Sequence, residues 1–211
     1  MLGIIRVLTT DDSKVFESHG VIIKERYGIH VKSYCIPDQP YGIHDEVTET
    51  AAIPKIITLA KNIEADGVKA ILISCAADPG LQQVRASVHI PVIGAGTCAA
   101  ALALTLGKRV GVLNLTGHTP SSPAAILGER QVMEVAPEGV DNTTDLMTPS
   151  GKMAAIKALG ELAAACDVIM LACTGFATIH FAEKMRKHVP IPIVDAIEAS
   201  GAVAQLILRN I

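Results

Sequence analysis

Two hydrophobic patterns alternate along this chain: short unbroken apolar runs, and longer stretches in which apolar residues recur every three or four positions. The first pattern reads as strands buried on both faces, and the second as amphipathic helices. Gly3–Thr9 predicts the first strand. Asp12 or Ser13 then caps a helix to about Tyr27, with Val15, Phe16, His19, Ile22 and Ile23 on one stripe. His30–Cys35 alternates like a second strand. Glu46–Ala65 reads as a helix that Pro54 should bend or restart near Ala52-Ile53. The run from Ala70 is a third strand that stops abruptly at Cys75, ahead of Asp78-Pro79-Gly80. A short helix over Leu81–Ser87, a strand over Ile90–Ile93 and an alanine-rich helix over Thr97–Leu106 follow, with Thr97 as candidate cap and Gly107 as stop.

Arg109–Leu115 starts the pattern again. Ser121–Leu127 predicts a short helix, Gln131–Val135 a strand, Gly151–Ala165 a helix and Val168–Ala172 a strand ending at Cys173. Ala177–His188, Ile191–Val194 and Asp195–Arg209 complete the series as helix, strand and helix. Ala136–Ser150 is polar and irregular and predicts no element. Strands alternating with helices throughout imply the α/β class, with parallel sheet and right-handed crossovers. The segment Ile36–Asp45, stiffened by Pro37 and Pro40 and released at Gly42, is either a wall or lid over a strand-end crevice or a plain surface connection.

The two halves of the chain repeat one another. Gly-Val-Lys-Ala-Ile-Leu-Ile-Ser-Cys (67–75) followed by Ile-Pro-Val-Ile-Gly (90–94) matches Cys-Asp-Val-Ile-Met-Leu-Ala-Cys (166–173) followed by Ile-Pro-Ile-Val-Asp (191–195). The opening strands also correspond when Val-Leu-Thr-Thr (7–10) is set against Leu-Asn-Leu-Thr (113–116). Related βα units facing one another across a pseudo-twofold axis would bring both cysteine loops to one cleft, where ligands of open α/β sheets collect. The expected division is an N-terminal lobe over residues 1–96, completed by a C-terminal helix at 196–211, and a second lobe over 97–195.

Composition narrows the class of function. Half of the 211 residues are hydrophobic and 18% are charged, which is globular, and aromatics are 3% with no Trp, so the core is aliphatic and offers no platform for stacking bases. A net charge of −3 without a basic run argues against nucleic acid and anionic membrane as partners. Mean hydropathy is +0.41, yet no apolar stretch approaches the roughly 18 residues of a spanning helix. The first residues lack the layout of a signal peptide, so a cytoplasmic protein acting on a small molecule is expected.

Five cysteines, at positions 35, 75, 98, 166 and 173, form no Cys-x-x-Cys pair, which argues against a disulfide framework or a structural zinc site. Cys35, Cys98 and Cys166 fit packing roles. Cys75 and Cys173 differ, because each stands where a strand gives way to small residues near a helix N-terminus. Free N–H groups there are expected to lower a thiol pKa from about 8.5 toward neutrality. One thiolate and one thiol on opposite faces of a carbon acid form a two-base pair that inverts the centre without a metal or other cofactor. The backbone N–H groups of Ala76, Ala77, Thr174 and Gly175 would hold the charge that grows on a neighbouring carbonyl. The hydroxyls of Thr10, Ser74 and Thr116, at strand ends, would orient the substrate. Gly94-Ala95-Gly96 lacks the third glycine of a phosphate loop and reads as tight packing.

Ser-Cys-Ala-Ala-Asp-Pro-Gly-Leu (74–81) and Leu-Ala-Cys-Thr-Gly-Phe (171–176) resemble the two signature regions of the aspartate/glutamate/hydantoin racemase superfamily, most closely its hydantoin racemase branch. The resemblance implies two Rossmann-like or flavodoxin-like subdomains with the active site between them, Cys75 and Cys173 as the acid/base pair, no cofactor and assembly into homo-oligomers. It implies a racemase or epimerase of a small carbon acid such as a 5-substituted hydantoin. Within the same superfamily stand cis–trans isomerases of the maleate type and decarboxylases, and outside it a non-catalytic small-molecule-binding protein. Glutamate racemases carry His two positions beyond the second cysteine, where this chain has Gly175.

Overall fold

The structure, a computed structural model, describes residues 1–210. Residue 211, assigned above to the first lobe's last helix, lies outside them. The chain forms two four-stranded sheets, every strand parallel to its neighbours. The first contains β1 (Leu2–Arg6), β2 (Val31–Cys35), β3 (Ala70–Ser74) and β4 (Val92–Gly94) in the order β2-β1-β3-β4. The second contains β5 (Val110–Leu113), β6 (Gln131–Val135), β7 (Val168–Leu171) and β8 (Ile193–Val194) in the order β6-β5-β7-β8. The orders are identical, so the repeat read from the sequence is a repeat of topology.

Helices fill the crossovers. They are α1 (Ser13–Tyr27), α2 (Glu46–Ala65), α3 (Leu81–Arg85) and α4 (Ala95–Leu106) in the first half. In the second they are α5 (Ser121–Leu127), α6 (Thr143–Met147), α7 (Pro149–Ala165), α8 (Gly175–Thr178), α9 (Phe181–Met185) and α10 (Ala196–Leu208). Among the described residues no helix is long and apolar enough to cross a membrane.

Three expectations about these elements are corrected. Pro54 does not restart α2, which runs as one helix from Glu46, where Asp45 and Thr48 close a capping box, to Ala65. The predicted helix over Ala177–His188 is two short helices, since His180 takes a left-handed conformation (φ 53°) that a helix cannot continue through. Thr97 does not cap α4, which starts two residues earlier. The Asp78 carboxylate serves as the cap from a distance, accepting the N–H groups of Gly96 and Thr97 at 2.8 and 2.7 Å. The second half of the chain solves the same problem locally, for Asp195 is itself the N-cap of α10 and accepts from Ile197 and Glu198 at 2.8 and 3.1 Å.

Each sheet buries both faces. The outer face of the first packs Ile5, Ile71 and Ile73 on Ile56, Ala60 and Ile63 of α2. The outer face of the second packs Leu113, Ile169 and Leu171 on Ala155, Leu159 and Leu162 of α7. The inner faces share one core, in which Ile4, Leu72, Val112 and Met170 meet Ala99, Ala100 and Ala103 of α4 and Ile197 and Ala204 of α10. Small residues on α4 let it approach α10 closely. The two helices are exchanged: α4, which follows β4, also packs on α5 and β7, and α10, which follows β8, packs on α1 and β3. This central packing sets the strand ends of the two sheets against one another.

Candidate active site

The C-terminal ends of β1, β3, β5 and β7 open on one cavity of about 280 Å³, a size for a small ligand. Cys75 and Cys173 both line it, and neither is in sealed core. Ser74, Ala76, Ala77, Thr116, Thr174 and Gly175 line it as well. Thr10 is not among the lining residues, and its Oγ1 accepts the Asp12 N–H at 3.2 Å instead. Strand register explains the error. Arg6 pairs with Ser74, directly before Cys75, whereas Leu113 pairs with Leu171, two residues before Cys173. The sequence alignment of the opening strands was therefore two residues out of step, and the position equivalent to Thr116 is Leu8, which does line the cavity.

The loop carrying Cys75 is fastened from behind. Asp78 sits at φ 53°, and besides the α4 amides it accepts the hydroxyls of Thr97 and Ser122 at 2.7 and 2.9 Å, tying the loop to α5 of the other lobe. Gly94-Ala95-Gly96 is small for this reason: a Cβ on Gly94 would lie 2.7 Å from the Asp78 carboxylate, and one on Gly96 would run into the Ala76 carbonyl oxygen. The Ala77 N–H faces the Cys75 sulfur. In the other lobe the Gly175 N–H donates to the Cys173 sulfur at 3.3 Å, the same two-residue relation.

The Thr143 hydroxyl and the Phe176 N–H, which itself donates to the Cys173 carbonyl at 3.3 Å, also face the Cys173 sulfur. Thr143 comes from the stretch that predicted no element. There Asn142 caps α6, accepting from the Thr144 and Asp145 amides at 2.8 and 3.1 Å, a signature readable in Asn142-Thr-Thr-Asp145. The segment before α2 is a wall, with Gly42, Ile43 and His44 lining the cavity. His118 stands at the rim and is highly exposed, while His180 does not line the cavity.

The expected lowering of the thiol pKa values is not what the environment produces. Burial pushes Cys75 far above the ordinary thiol range, against the Ala77 N–H and reinforced by the neighbouring Cys173, Asp78 and Glu49. Burial also raises Cys173, with the Gly175 N–H, the Thr143 hydroxyl and the Phe176 N–H working in the opposite direction. The short turns after each cysteine supply single amides rather than a long helix terminus, and desolvation outweighs them. A raised thiol pKa moves thiolate formation to higher pH. Alkylation of both cysteines by iodoacetamide is therefore expected to keep rising above about pH 8.5, with Cys173 ahead of Cys75 at every pH. Peptide mass spectrometry of a time course measures this; equal rates, or Cys75 first, would contradict the ordering.

The sequence model of the Asp/Glu/hydantoin racemase family matches residues 26–204. The chain is a member of the Asp/Glu/hydantoin racemase family. The hydantoin racemase of Rhizobium meliloti is 24% identical over 188 residues, covering 85% of this chain and 76% of that protein. The hydantoin racemase of Pseudomonas sp. strain NS671 is 27% identical over 179 residues, covering 80% and 70%. Among solved structures, the allantoin racemase from Klebsiella pneumoniae superposes with a TM-score of 0.86 at 18% identity, over 99% of this chain and 87% of that one, which shows the shared racemase fold.

Within this racemase-family fold, two details belong to the chain itself. A Cβ on Gly175 would lie 2.6 Å from Thr143 Cγ2 and 3.3 Å from the Cys173 sulfur, so a side chain at the position that holds His in glutamate racemases would require Thr143 to shift. The charges around the cavity are mainly acidic: Asp45, Glu46, Glu49 and Asp141 line it. Among the described residues Arg6 is the one Arg or Lys in the lining, and its guanidinium donates to the Val15 and Phe16 carbonyls at 2.6 and 2.9 Å. That cation is held by α1, not offered to a ligand.

Proposed function

We propose that the protein is a racemase of a small, uncharged carbon acid, a 5-substituted hydantoin or a related cyclic ureide, working by proton transfer between Cys75 and Cys173. The observation that carries this reading is that the two cysteines, on equivalent loops of the two lobes, line one small cavity. One sulfur, as thiolate, removes the proton from the stereogenic carbon. The other, as thiol, gives its proton to the opposite face. The products are the inverted centre and the same pair with the proton exchanged between sulfurs, so the next turnover runs in the reverse sense. Negative charge grows on the carbonyl next to the reacting carbon, and the Ala76 and Thr174 amides, which donate to no protein group among the described residues, are suited to receive it. Cys173, whose sulfur accepts the Gly175 N–H, is the better resting thiolate.

The lining favours a neutral substrate. Glutamate, aspartate and maleate each carry two carboxylates at neutral pH, and the acidic rim with its one committed arginine gives them no partner. Hydantoin and allantoin are the substrates named for the relatives above, and neither is a dicarboxylate. The test is deuterium wash-in. In D₂O, single enantiomers of 5-methylhydantoin and of allantoin are expected to lose the α-proton NMR signal and their optical rotation together, while L-glutamate keeps both. Exchange of glutamate with no exchange of either ureide would overturn the reading.

A further inference from the structure

His19, fully buried behind the cavity, takes no part in the proton transfer between sulfurs. Its Nδ1 lies 2.7 Å from Ser74 Oγ and its Nε2 lies 3.0 Å from Thr178 Oγ1. Ser74 directly precedes Cys75, and Thr178 ends the short helix after Cys173, so the ring joins the two lobes through two residues that line the cavity. Thr174 adds a second tie, its hydroxyl donating to the Ser74 carbonyl at 3.2 Å.

Burial, then the nearby Arg6 charge, pushes the His19 pKa well below the ordinary histidine value, so the ring is neutral. A neutral imidazole has one N–H and one bare nitrogen. Of the two hydroxyls, one must accept the ring proton and keep its own free. The other must give its proton to the ring and is left with lone pairs only. Which hydroxyl plays which part follows the ring tautomer, and with either one the pair offers the cavity one acceptor and one donor.

We propose that His19 is a positioning residue whose single ring proton makes one of the Ser74 and Thr178 hydroxyls an acceptor and frees the other to donate, so that the cavity reads a substrate edge with an N–H beside a C=O. On the racemase reading above, the carbonyl is the one beside the reacting carbon, where charge grows and a donor helps most, and the N–H is its imide neighbour, N3 of a hydantoin ring.

Two measurements on the full chain test this. In nitrogen–proton long-range NMR at neutral pH, with the signals assigned by their loss in His19→Gln, His19 is expected to show one pyrrole-type and one pyridine-type ring nitrogen. An averaged or protonated ring would overturn the proposal, and this readout on the unaltered protein holds even if a variant fails to fold. The second compares 5-methylhydantoin with 3,5-dimethylhydantoin, which lacks the N3 proton. The unaltered protein is expected to have a KM about 10-fold higher for the dimethyl compound, a gap that His19→Leu closes by raising KM for 5-methylhydantoin, and that His19→Gln, with its own N–H and C=O, partly restores. An equal fall of kcat on both compounds in His19→Leu would mean a structural role only and sink the idea. Should neither compound be racemised, the function proposed above fails alone: calorimetric binding of the same pair must still show the discrimination, and equal or undetectable binding overturns this inference too.

Discussion

Cys75→Ser and Cys173→Ser each lower racemisation by about 10³-fold or more, because a serine alcohol is a far weaker acid than a thiol and supplies no alkoxide base in the working pH range. The residual behaviour of the two variants differs. A lone cysteine still removes the proton on its own side and can return a deuteron to the same face. Each variant is therefore expected to wash deuterium into one enantiomer without inverting it, and the two variants are expected to choose opposite enantiomers. Exchange is faster in Cys75→Ser, where the remaining sulfur is Cys173, which accepts the Gly175 N–H at 3.3 Å. Proton NMR in D₂O alongside polarimetry separates exchange from inversion. Cys98→Ala is the control, since that thiol is buried in α4 and does not line the cavity. Racemisation surviving in either serine variant, or lost equally in Cys98→Ala, would remove the two-base mechanism.

Gly175→Ala is the second change with a large effect. The added methyl would sit 2.6 Å from Thr143 Cγ2, so the Cys173 turn or α6 must give way and the donor geometry at the sulfur is lost. A displacement of that order at a reacting group costs about 10²-fold in kcat/KM. Backbone conformation is not the cause, for Gly175 is helical and outside the left-handed region. The double variant Gly175→Ala with Thr143→Ser separates the two effects: serine lacks the clashing methyl and keeps the hydroxyl that faces Cys173. It is expected to recover most of the lost kcat/KM, whereas Thr143→Val added to Gly175→Ala recovers none. No recovery with serine would show that the contact is not what makes glycine necessary.

What the sequence made legible follows from how local each signal is. Apolar runs bounded by turn residues located the six strands that are buried throughout, because burial of both sheet faces leaves no polar alternation to confuse the reading, while the edge strands β2 and β6 are only partly buried and alternate in the sequence. The paired cysteines stood out because each ends such a run. Thr10 was misplaced because aliphatic strands carry no register mark, and only the pairing of Arg6 with Ser74 and of Leu113 with Leu171 fixes the step. Asp78 as the cap of α4, His19 between Ser74 and Thr178, and Thr143 on Cys173 are contacts between residues far apart in the chain. No local pattern announces these. The thiol pKa values were missed for a related reason: the amides after each cysteine are visible in the sequence, and the desolvation that overrides them is a property of the assembled cavity.

The exchange of α4 and α10 between the sheets bears on how the chain acquires its structure. The strands of each half pair only within that half, yet the inner face of the first sheet, with Leu2, Ile4 and Leu72, is covered in part by α10. During synthesis from the N-terminus, the first four strands emerge well before that helix exists. Their apolar inner face must wait for it, a period of exposure in which chaperone binding or association of nascent chains competes with folding. Duplicating a βα unit thus produced two halves that look alike and yet do not mature independently, and the earlier half is the more vulnerable.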